Sequence, residues 1–155
     1  MRVRSPQFQL DTRISGGAFG AVFNARLMAQ EVVAKCHHAL RDPMMYGLSD
    51  SAALQGVVRE IKAEIAPLQR LQHPRVVAFV GVVYGRLPDL GGVVVPKYLL
   101  MEKVHGGTLH DDLYCRADTS RPPLSPARRL RYARELAAAV EYIHSEEFIH
   151  RDIKP

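Results

Sequence analysis

The sequence predicts an α+β fold, in which an antiparallel sheet of about five strands packs against one helix and precedes a mainly helical part. Three patterns indicate this fold. Segments with strand periodicity dominate Phe8 to Glu102, one long helical stripe interrupts them, and a second helical stripe lies near the carboxyl end. With 155 residues, of which 47% are hydrophobic, the chain can bury a core of ordinary size.

Three strands are predicted in the amino-terminal part of the chain. Apolar and polar residues alternate from Phe8 to Ile14, which is the two-residue period of a half-buried strand. A glycine-rich turn, Ser15–Gly20, separates this segment from a second strand at Ala21–Ala25. Glu31–Cys36 is a β-branched run and forms the third strand. The three strands are expected to be antiparallel, with the glycine turn joining the first two.

A long helix is predicted from about Ser51, after an expected loop from His37 to Asp50. Its apolar residues recur at spacings of three and four and would form one buried stripe. Pro67 lacks the N–H group that a helix interior uses, so we expect it to kink this helix or end it early. The stripe comprises Leu54, Val57, Val58, Ile61, Ile65 and Leu68.

Two more strands follow the helix. His73-Pro74 ends the helical region, and Val76–Tyr84 has the apolar character of a buried strand. Gly85–Lys97 is rich in glycine and proline, so it is interpreted as a surface loop that could include a short strand at Val93–Val95. Tyr98–Glu102 is the fifth strand.

Helices and connecting segments make up the remainder. His105-Gly106-Gly107 is a flexible joint, a short helix is expected at Thr108–Tyr114, and Arg116–Pro123 is a polar linker. Ser125-Pro126 is typical of a helix start, because serine caps exposed N–H groups and proline needs no partner in the first turn. This helix should run to about His144 and carry an apolar face.

Composition argues against several classes of protein. The two cysteines, Cys36 and Cys115, lie far apart and without metal-like spacing, so neither a disulfide framework nor a cysteine metal site is expected. The first residues lack the apolar core of a secretory signal, and no apolar run approaches the ~20 residues of a membrane span. We therefore expect a cytoplasmic protein with no membrane partner.

A net charge of +5 raises the question of nucleic-acid binding. Several arginines cluster in the last predicted helix, but no aromatic residues are interleaved with them and no nucleic-acid motif is present. We interpret the cluster as a solvated helix face and expect no nucleic-acid partner. The arginines are Arg128, Arg129, Arg131 and Arg134.

An ordered series of short motifs carries the functional signal. Each is weak alone, because glycine turns, strand lysines and His-Arg-Asp tripeptides are common. Their joint order along Phe8–Pro155 resembles the protein kinase family, from its amino end to its catalytic loop. The series is the glycine turn, Lys35, Glu64, His73-Pro74, Met101-Glu102, Gly106-Gly107, a long helix and His150-Arg151-Asp152-Ile153-Lys154-Pro155.

The resemblance implies that the chain binds ATP and acts on a protein substrate. The glycine turn and Lys35 would contact the phosphates, and Val22 would cover the adenine ring. Met101 would gate a back pocket, the backbone at Glu102 and Val104 would read the adenine edge, and Thr108 would contact ribose. The full implied set is Ile14, Ser15, Gly16, Gly17, Ala18, Phe19, Gly20, Val22, Val33, Lys35, Met101, Glu102, Val104 and Thr108.

The resemblance also implies catalytic roles. Asp152 would be the general base for the substrate hydroxyl, and Lys154 would contact the γ-phosphate, which favours serine and threonine over tyrosine. Lys35 needs a carboxylate to hold it. The family register counted from His73-Pro74 selects Glu64, with Glu60 as the rival one turn earlier.

Two positions depart from the family pattern and favour an alternative, a pseudokinase or scaffold that binds nucleotide or partners without turnover. The first glycine of the turn is replaced by Ser15, and the alanine that precedes the lysine by two residues is replaced by Val33. Pro67, close to Glu64, raises the same question.

Mg²⁺ is the expected metal cofactor, and no residue of this chain is assigned to it. The family's asparagine and Asp-Phe-Gly ligands would fall beyond Pro155. We therefore expect a fragment that is inactive and unstable alone, because the last helix should expose its apolar face.

Residues 1–7 would be an extension and residues 8–155 a partial kinase domain. Residues 8–104 would form the N-lobe and hinge, and residues 105–155 the start of the C-lobe. His150 would be a buried structural residue. The general layout is similar to the tyrosine-kinase-like group of serine/threonine kinases.

Overall fold

The computed structural model of the chain describes residues 2–3, 7–17, 20–48, 51–114 and 124–154. The chain divides into two compact units. The first comprises Met1–Arg70 and Ala78–Lys103, and the second comprises Leu71–Val77 and Val104–Pro155. The predicted linker Arg116–Pro123 and the turn residues Ala18 and Phe19 lie outside the described residues.

A sheet forms the base of the first unit. Its order among the described residues is β1-β5-β6-β4-β3-β2, in which β2 to β6 are antiparallel neighbours and β1 pairs with β5 in parallel. The α+β prediction, with five antiparallel strands, is confirmed, and β1 adds a short strand from the predicted extension. The strands are β1 Arg2–Val3, β2 Phe8–Gly17, β3 Gly20–Leu27, β4 Gln30–Cys36, β5 Phe79–Leu87 and β6 Val93–Glu102.

Alternating burial fixes the faces of the central strands. In β4, Val32 and Ala34 are fully buried, whereas Val33 and Lys35 are only partly covered. This is the two-residue period expected for a strand with one face in a core. Because a shift of one residue would exchange the two faces, the apolar pattern determines which side Lys35 occupies.

Helix α2, Ser51–Arg70, packs on the sheet of the first unit. Ile61 and Ile65 are buried in the same apolar cluster as Leu99 of β6. Each such side chain contributes roughly 1.5–3 kcal/mol when it is fully removed from water. This packing fixes the rotation of α2 about its axis.

Pro67 lies inside α2, and the helix continues to Arg70. Of the two effects expected of Pro67, the early end of the helix is therefore wrong, and the kink stays a prediction. A proline removes one N–H donor, and so near Arg70 it costs the last turn one hydrogen bond and leaves the preceding turns intact.

Two segments interpreted as loops contain regular structure. Helix α1, His38–Arg41, lies in the predicted loop from His37, whose Nδ1 accepts a hydrogen bond from the Ala39 N–H at 3.2 Å. Most of the predicted loop Gly85–Lys97 belongs to the β5–β6 hairpin, whose pairing extends to Leu87 and Val93. A short 3₁₀ turn, Pro88–Leu90, and Gly91 at φ 68° close this hairpin.

Pro96 explains why the hairpin was not predicted. Proline interrupts the hydrogen bonds of a strand and is usually confined to edges and bulges. Here the β5–β6 register shifts between Val83 and Tyr84, next to the Tyr84–Pro96 pair. The pairing of β6 with β4 begins only at Leu99, so Pro96 lies outside that ladder.

The second unit contains helices α3, Leu109–Leu113, and α4, Pro126–Ser145. Ser125 caps α4 by accepting a hydrogen bond from the Arg128 N–H at 3.3 Å, as predicted. Ala139 and Ile143 of α4 are buried, whereas two other apolar residues of this helix, Leu130 and Leu136, are exposed. No helix in the described part of the chain is long and apolar enough to cross a membrane.

Tyr142 of α4 is tied to the segment that follows α2. Its hydroxyl accepts a hydrogen bond from the Gln72 N–H at 2.8 Å, and its ring stacks on His73 with 4.8 Å between centroids. The segment Leu71–Val77 is thereby held on the helix that leads towards the His-Arg-Asp segment.

Replacement of Gly20 by alanine should destabilise the first unit. A Cβ atom there would lie 2.6 Å from the Cys36 carbonyl oxygen, which is backbone and cannot rotate away. We expect a loss of about 1–3 kcal/mol in the free energy of unfolding, measured by urea denaturation.

Gly56→Ala is the matched control. A Cβ at Gly56 meets nothing within 4 Å, and the residue lies inside α2. Alanine has the higher helix propensity, so this variant should gain up to about 1 kcal/mol. Equal stability of the two variants would contradict the steric account of Gly20.

Candidate active site

The glycine turn joins β2 and β3. Gly17 pairs with Gly20 across the two strands, and the predicted phosphate-binding residues between them, Ala18 and Phe19, lie outside the described residues. Gly20 also has a structural requirement that the sequence did not suggest: its backbone closely approaches the carbonyl of Cys36.

The residues before the turn are irregular. Ser15 pairs with Val22, but the register shifts between Arg13 and Ser15, so Ile14 falls at the irregularity and is half exposed. The Arg13 guanidinium lies against Gly16, where it would collide with any Cβ, and its Nε donates to the Ser15 carbonyl at 3.3 Å. This arginine was not predicted as a site residue; it lies at two register shifts of the β2–β3 pair, which local sequence patterns do not indicate.

Four predicted nucleotide-binding side chains share one face of the sheet. Lys35 is directly opposite Val22 of β3, and Val33 is directly opposite Met101 of β6. Directly paired residues of antiparallel strands project to the same face, and Lys35 and Val33 are two positions apart on β4. Val22, Val33, Lys35 and Met101 therefore form one surface.

Lys35 forms an ion pair with helix α2. Its Nζ lies 2.5 Å from Oε1 of Glu64, and the two side chains are 27% and 41% exposed. Glu60, the rival partner, lies instead 3.7 Å from His37 Nε2. Ile61 and Ile65 are buried, and because Glu64 lies between them in sequence, their packing helps to direct Glu64 towards the sheet.

Cys36 follows Lys35 but points into the core. It is fully buried, and burial raises the pKa of its thiol to about 11. The thiol therefore stays protonated near neutral pH and is not a nucleophile. Of the two neighbouring residues, Lys35 is therefore the one to which we assign a chemical role.

The end of β6 is fixed by Glu102. Its N–H donates to the Ala78 carbonyl at 2.9 Å, and its carboxylate Oε1 accepts from the Ala78 N–H at 2.8 Å. A second contact, at 3.0 Å, joins Lys103 to Glu31 of β4. These contacts hold the chain at the position that the sequence assigned to adenine recognition. Val104, the other member of that pair, is exposed in the second unit.

Thr108 caps helix α3 in the second unit. Its hydroxyl accepts a hydrogen bond from the Asp111 N–H at 3.1 Å and donates to Asp111 Oδ2 at 2.7 Å, while Oδ2 also accepts from the Thr108 N–H at 3.1 Å. These hydrogen bonds from Thr108 lower the pKa of the Asp111 carboxyl. The sequence predicted Thr108 as a ribose contact and did not identify its capping role.

The His-Arg-Asp segment has a turned backbone. Arg151 has φ 63°, and the Asp152 N–H donates to His150 Nδ1 at 3.2 Å. Lys154 Nζ lies 3.1 Å from Asp152 Oδ2, and both side chains are largely exposed. His150 is exposed as well, so the expectation of a buried histidine is wrong. The Asp152 N–H donates a hydrogen bond to Nδ1 of the imidazole, and this contact does not require the ring to be buried.

The described residues contain no group of three or more His, Cys, Asp or Glu side chains that could hold a metal ion. The first unit presents an ammonium group held by a carboxylate, Lys35 with Glu64. The second unit, taken by itself, presents a carboxylate beside an ammonium group, Asp152 with Lys154. An ammonium group in such a setting, such as that of Lys35, can donate to a phosphate oxygen.

A family model described as "Protein tyrosine and serine/threonine kinase" matches residues 8–155. The chain belongs to the protein kinase family. Curated kinases also match almost the whole chain, although their sequence identity to it is low. The putative CBL-interacting protein kinase 13 of Oryza sativa subsp. japonica is 31% identical over 151 residues, which are 96% of this chain and 25% of that protein.

Two further relatives are serine/threonine kinases by name. The mos kinase of Xenopus laevis is 30% identical over 142 residues, 92% of this chain and 34% of the relative. The probable kinase kinY of Dictyostelium discoideum is 27% identical over 146 residues, 91% of this chain and 23% of the relative. This kinase chain therefore spans about a quarter to a third of the length of these relatives.

Thr108→Ala should raise the pKa of Asp111 towards its ordinary value of about 3.9. In the unmodified chain the lowered pKa means that ionised Asp111 stabilises the folded state above that ordinary value. This stabilisation is lost as the pH falls through the lowered folded-state pKa. A carboxyl-detected NMR titration measures the change.

Thr108→Ser keeps the hydroxyl and serves as the control, so its Asp111 should retain the lowered pKa. An unchanged pKa in Thr108→Ala would show that the threonine hydroxyl is not the cause.

Proposed function

We propose that this chain supplies ATP-binding and catalytic residues of a serine/threonine protein kinase, which transfers the γ-phosphate of ATP to a protein hydroxyl. The ion pair between Lys35 and Glu64 is the observation that carries the proposal. A carboxylate that holds a strand lysine leaves its ammonium group aimed and charged, and phosphoryl transfer depends mainly on such positioning and charge neutralisation.

The first unit would bind most of the nucleotide. Lys35 would contact the α- and β-phosphates, and backbone N–H groups of the glycine turn, including Gly17 and Gly20, would approach the phosphate oxygens. Val22 and Val33 would contact the adenine ring. Support comes from their shared sheet face with Lys35, which follows from the β3–β4 and β4–β6 registers.

The second unit would complete the chemistry. Asp152 would accept the proton of the substrate hydroxyl as its oxygen attacks the γ-phosphorus, and the bond from that phosphorus to the ADP oxygen would break. Lys154 would neutralise charge on the transferred phosphoryl group. Its contact with Asp152 Oδ2 supports this role, because both side chains would then act at the same phosphoryl group. Thr108 would contact ribose, and Val104 the adenine edge.

Mg²⁺, when bound with ATP, would neutralise phosphate charge. We expect its protein ligands outside the residues described above, because the only site carboxylate assigned to the second unit is Asp152. The domain assignment is part of the proposal: residues 8–104 as N-lobe and hinge, residues 105–155 as the beginning of the C-lobe, and residues 1–7 as an extension.

The second candidate is a nucleotide-binding pseudokinase or scaffold. Val33 favours it, because this residue is bulkier than alanine and lies on the same sheet face as Lys35. Pro67 no longer favours it, since α2 passes through this residue and Glu64 still contacts Lys35.

Asp152→Asn separates the two candidates. In the natural protein that carries this sequence, the variant should lose phosphate transfer by about 10²–10⁴-fold, because the general base is removed. ATP affinity should stay within about twofold, because Asp152 acts on the hydroxyl rather than on the nucleotide. Transfer of radiolabelled phosphate to a generic protein substrate and isothermal titration with ATP measure the two effects.

Asp112→Asn, which replaces a partly exposed aspartate of the second unit, is the control and should transfer phosphate normally. Phosphoamino-acid analysis of the product should yield phosphoserine and phosphothreonine without phosphotyrosine. ATP binding without any transfer in the unmodified protein would sink the kinase proposal in favour of the pseudokinase.

A further inference from the structure

A basic cleft lies in the second unit, apart from the residues assigned to catalysis. Its volume is about 320 Å³, and it is lined by Arg75, Arg131, Arg134, Glu135 and Ala138. The α4 residues recur at spacings of three and four, which places them on one face of the helix. Ala138 has a small side chain and so leaves space between the longer ones.

Glu135 holds two of the guanidinium groups in place. Its Oε1 accepts from Arg131 Nε at 2.9 Å and from Arg75 Nη2 at 3.4 Å. The hydrogen bond from Arg131 is the main cause of a lowered pKa at Glu135, so the carboxylate stays ionised. Each of these contacts uses only one nitrogen of its guanidinium, and a guanidinium carries five N–H donors.

Arg134 differs from the other arginines of α4. Arg128 donates to the Tyr132 hydroxyl at 2.9 Å, and Arg129 donates to the Leu124 carbonyl at 3.1 Å. The side chain of Arg134 makes no hydrogen bond or ion pair with any of the residues that the structure describes. The cleft therefore combines two oriented guanidinium groups with a third that has its full donor set available.

We propose that this cleft binds a phosphate monoester carried by a protein segment, as in phosphoserine or phosphothreonine. Three arginines and one glutamate give the lining a formal charge of +2. A phosphorylated side chain carries about −1.5 to −2 at neutral pH, and so matches this charge. Planar guanidinium forks bind phosphate oxygens in pairs, and Arg clusters are a recurring device for phosphopeptide recognition.

The lining fits a single phosphorylated side chain better than a nucleic-acid strand. None of the described residues that line the cleft is aromatic, so a base would have no ring on which to stack. Glu135 would repel the successive phosphates of a nucleic-acid strand. A single phosphate can instead contact the arginines that lie on either side of Glu135. The cleft volume is at the lower end of the roughly 300–1,000 Å³ of small-ligand pockets.

The test is an NMR titration of the protein with a short, alanine-flanked phosphothreonine peptide, followed through the arginine side-chain N–H signals. We expect saturable shifts at Arg134, and none with the unphosphorylated peptide. Arg134→Gln should weaken binding by about tenfold or more, because charge-assisted hydrogen bonds to a phosphate are lost. Arg128→Gln removes the same charge from the same helix outside the cleft, and should change affinity by less than about twofold.

Several results would overturn the proposal. Equal losses in the two variants would mean that the helix attracts anions without a defined site. Binding of inorganic phosphate but not of the peptide would exclude a protein-borne ligand. Tighter binding of a short single-stranded DNA, blocked by Arg134→Gln, would assign the cleft to nucleic acid. Both arginines are exposed, and matching circular dichroism spectra verify that the variants fold. Because the readout is binding at α4, failure here leaves the proposed phosphate transfer untouched.

Discussion

The contact between Lys35 and Glu64 joins the sheet of the first unit to helix α2. A charged lysine on a strand has a long, flexible side chain, and alone it would occupy many rotamers in water. The Glu64 carboxylate restricts it to one region above the sheet face. The positions proposed for the nucleotide phosphates depend on this restriction, because neighbouring residues on that face are apolar.

The ion pair in turn depends on apolar packing. Its two side chains are partly exposed, and pairs of this kind contribute only about 0–1 kcal/mol to stability. The rotation of α2 is instead fixed by Ile61 and Ile65, which are buried against the sheet together with Leu99. Hydrophobic burial therefore determines the orientation of α2, and the ion pair forms because this orientation brings Glu64 close to Lys35. This division explains how Glu64, rather than Glu60, becomes the partner.

Local sequence patterns predicted the elements whose periodicity is undisturbed. The alternation around Lys35 identified β4, and the Ser125-Pro126 signal located the start of α4. Prediction failed where tertiary context overrides a local breaker. Pro67 is tolerated because the helix ends soon after it, and Pro96 because it lies beside a register shift and outside the β4 ladder. The short helix at His38–Arg41 is too brief to leave a periodic signal.

Some residues of the candidate site could be proposed from the sequence, and others could not. Motif order alone selected Lys35, Glu64 and Asp152, since a family register carries long-range information that propensities lack. Arg13 and the arginine cleft could not be found in this way. The first lies at register shifts of the β2–β3 pair, and the second requires Arg75 to meet a helix that lies far along the chain.

A double-mutant cycle on ATP affinity tests the central claim most directly. The affinities of the unmodified protein, Lys35→Met, Glu64→Gln and the double variant for ATP with Mg²⁺ would be measured by isothermal titration, with Glu60→Gln as the matched control. If Glu64 acts by holding Lys35, its replacement should weaken binding alone and have little further effect once Lys35 is gone. The expected coupling free energy is then about 1 kcal/mol or more. Additive losses, or an equal loss in Glu60→Gln, would contradict the account.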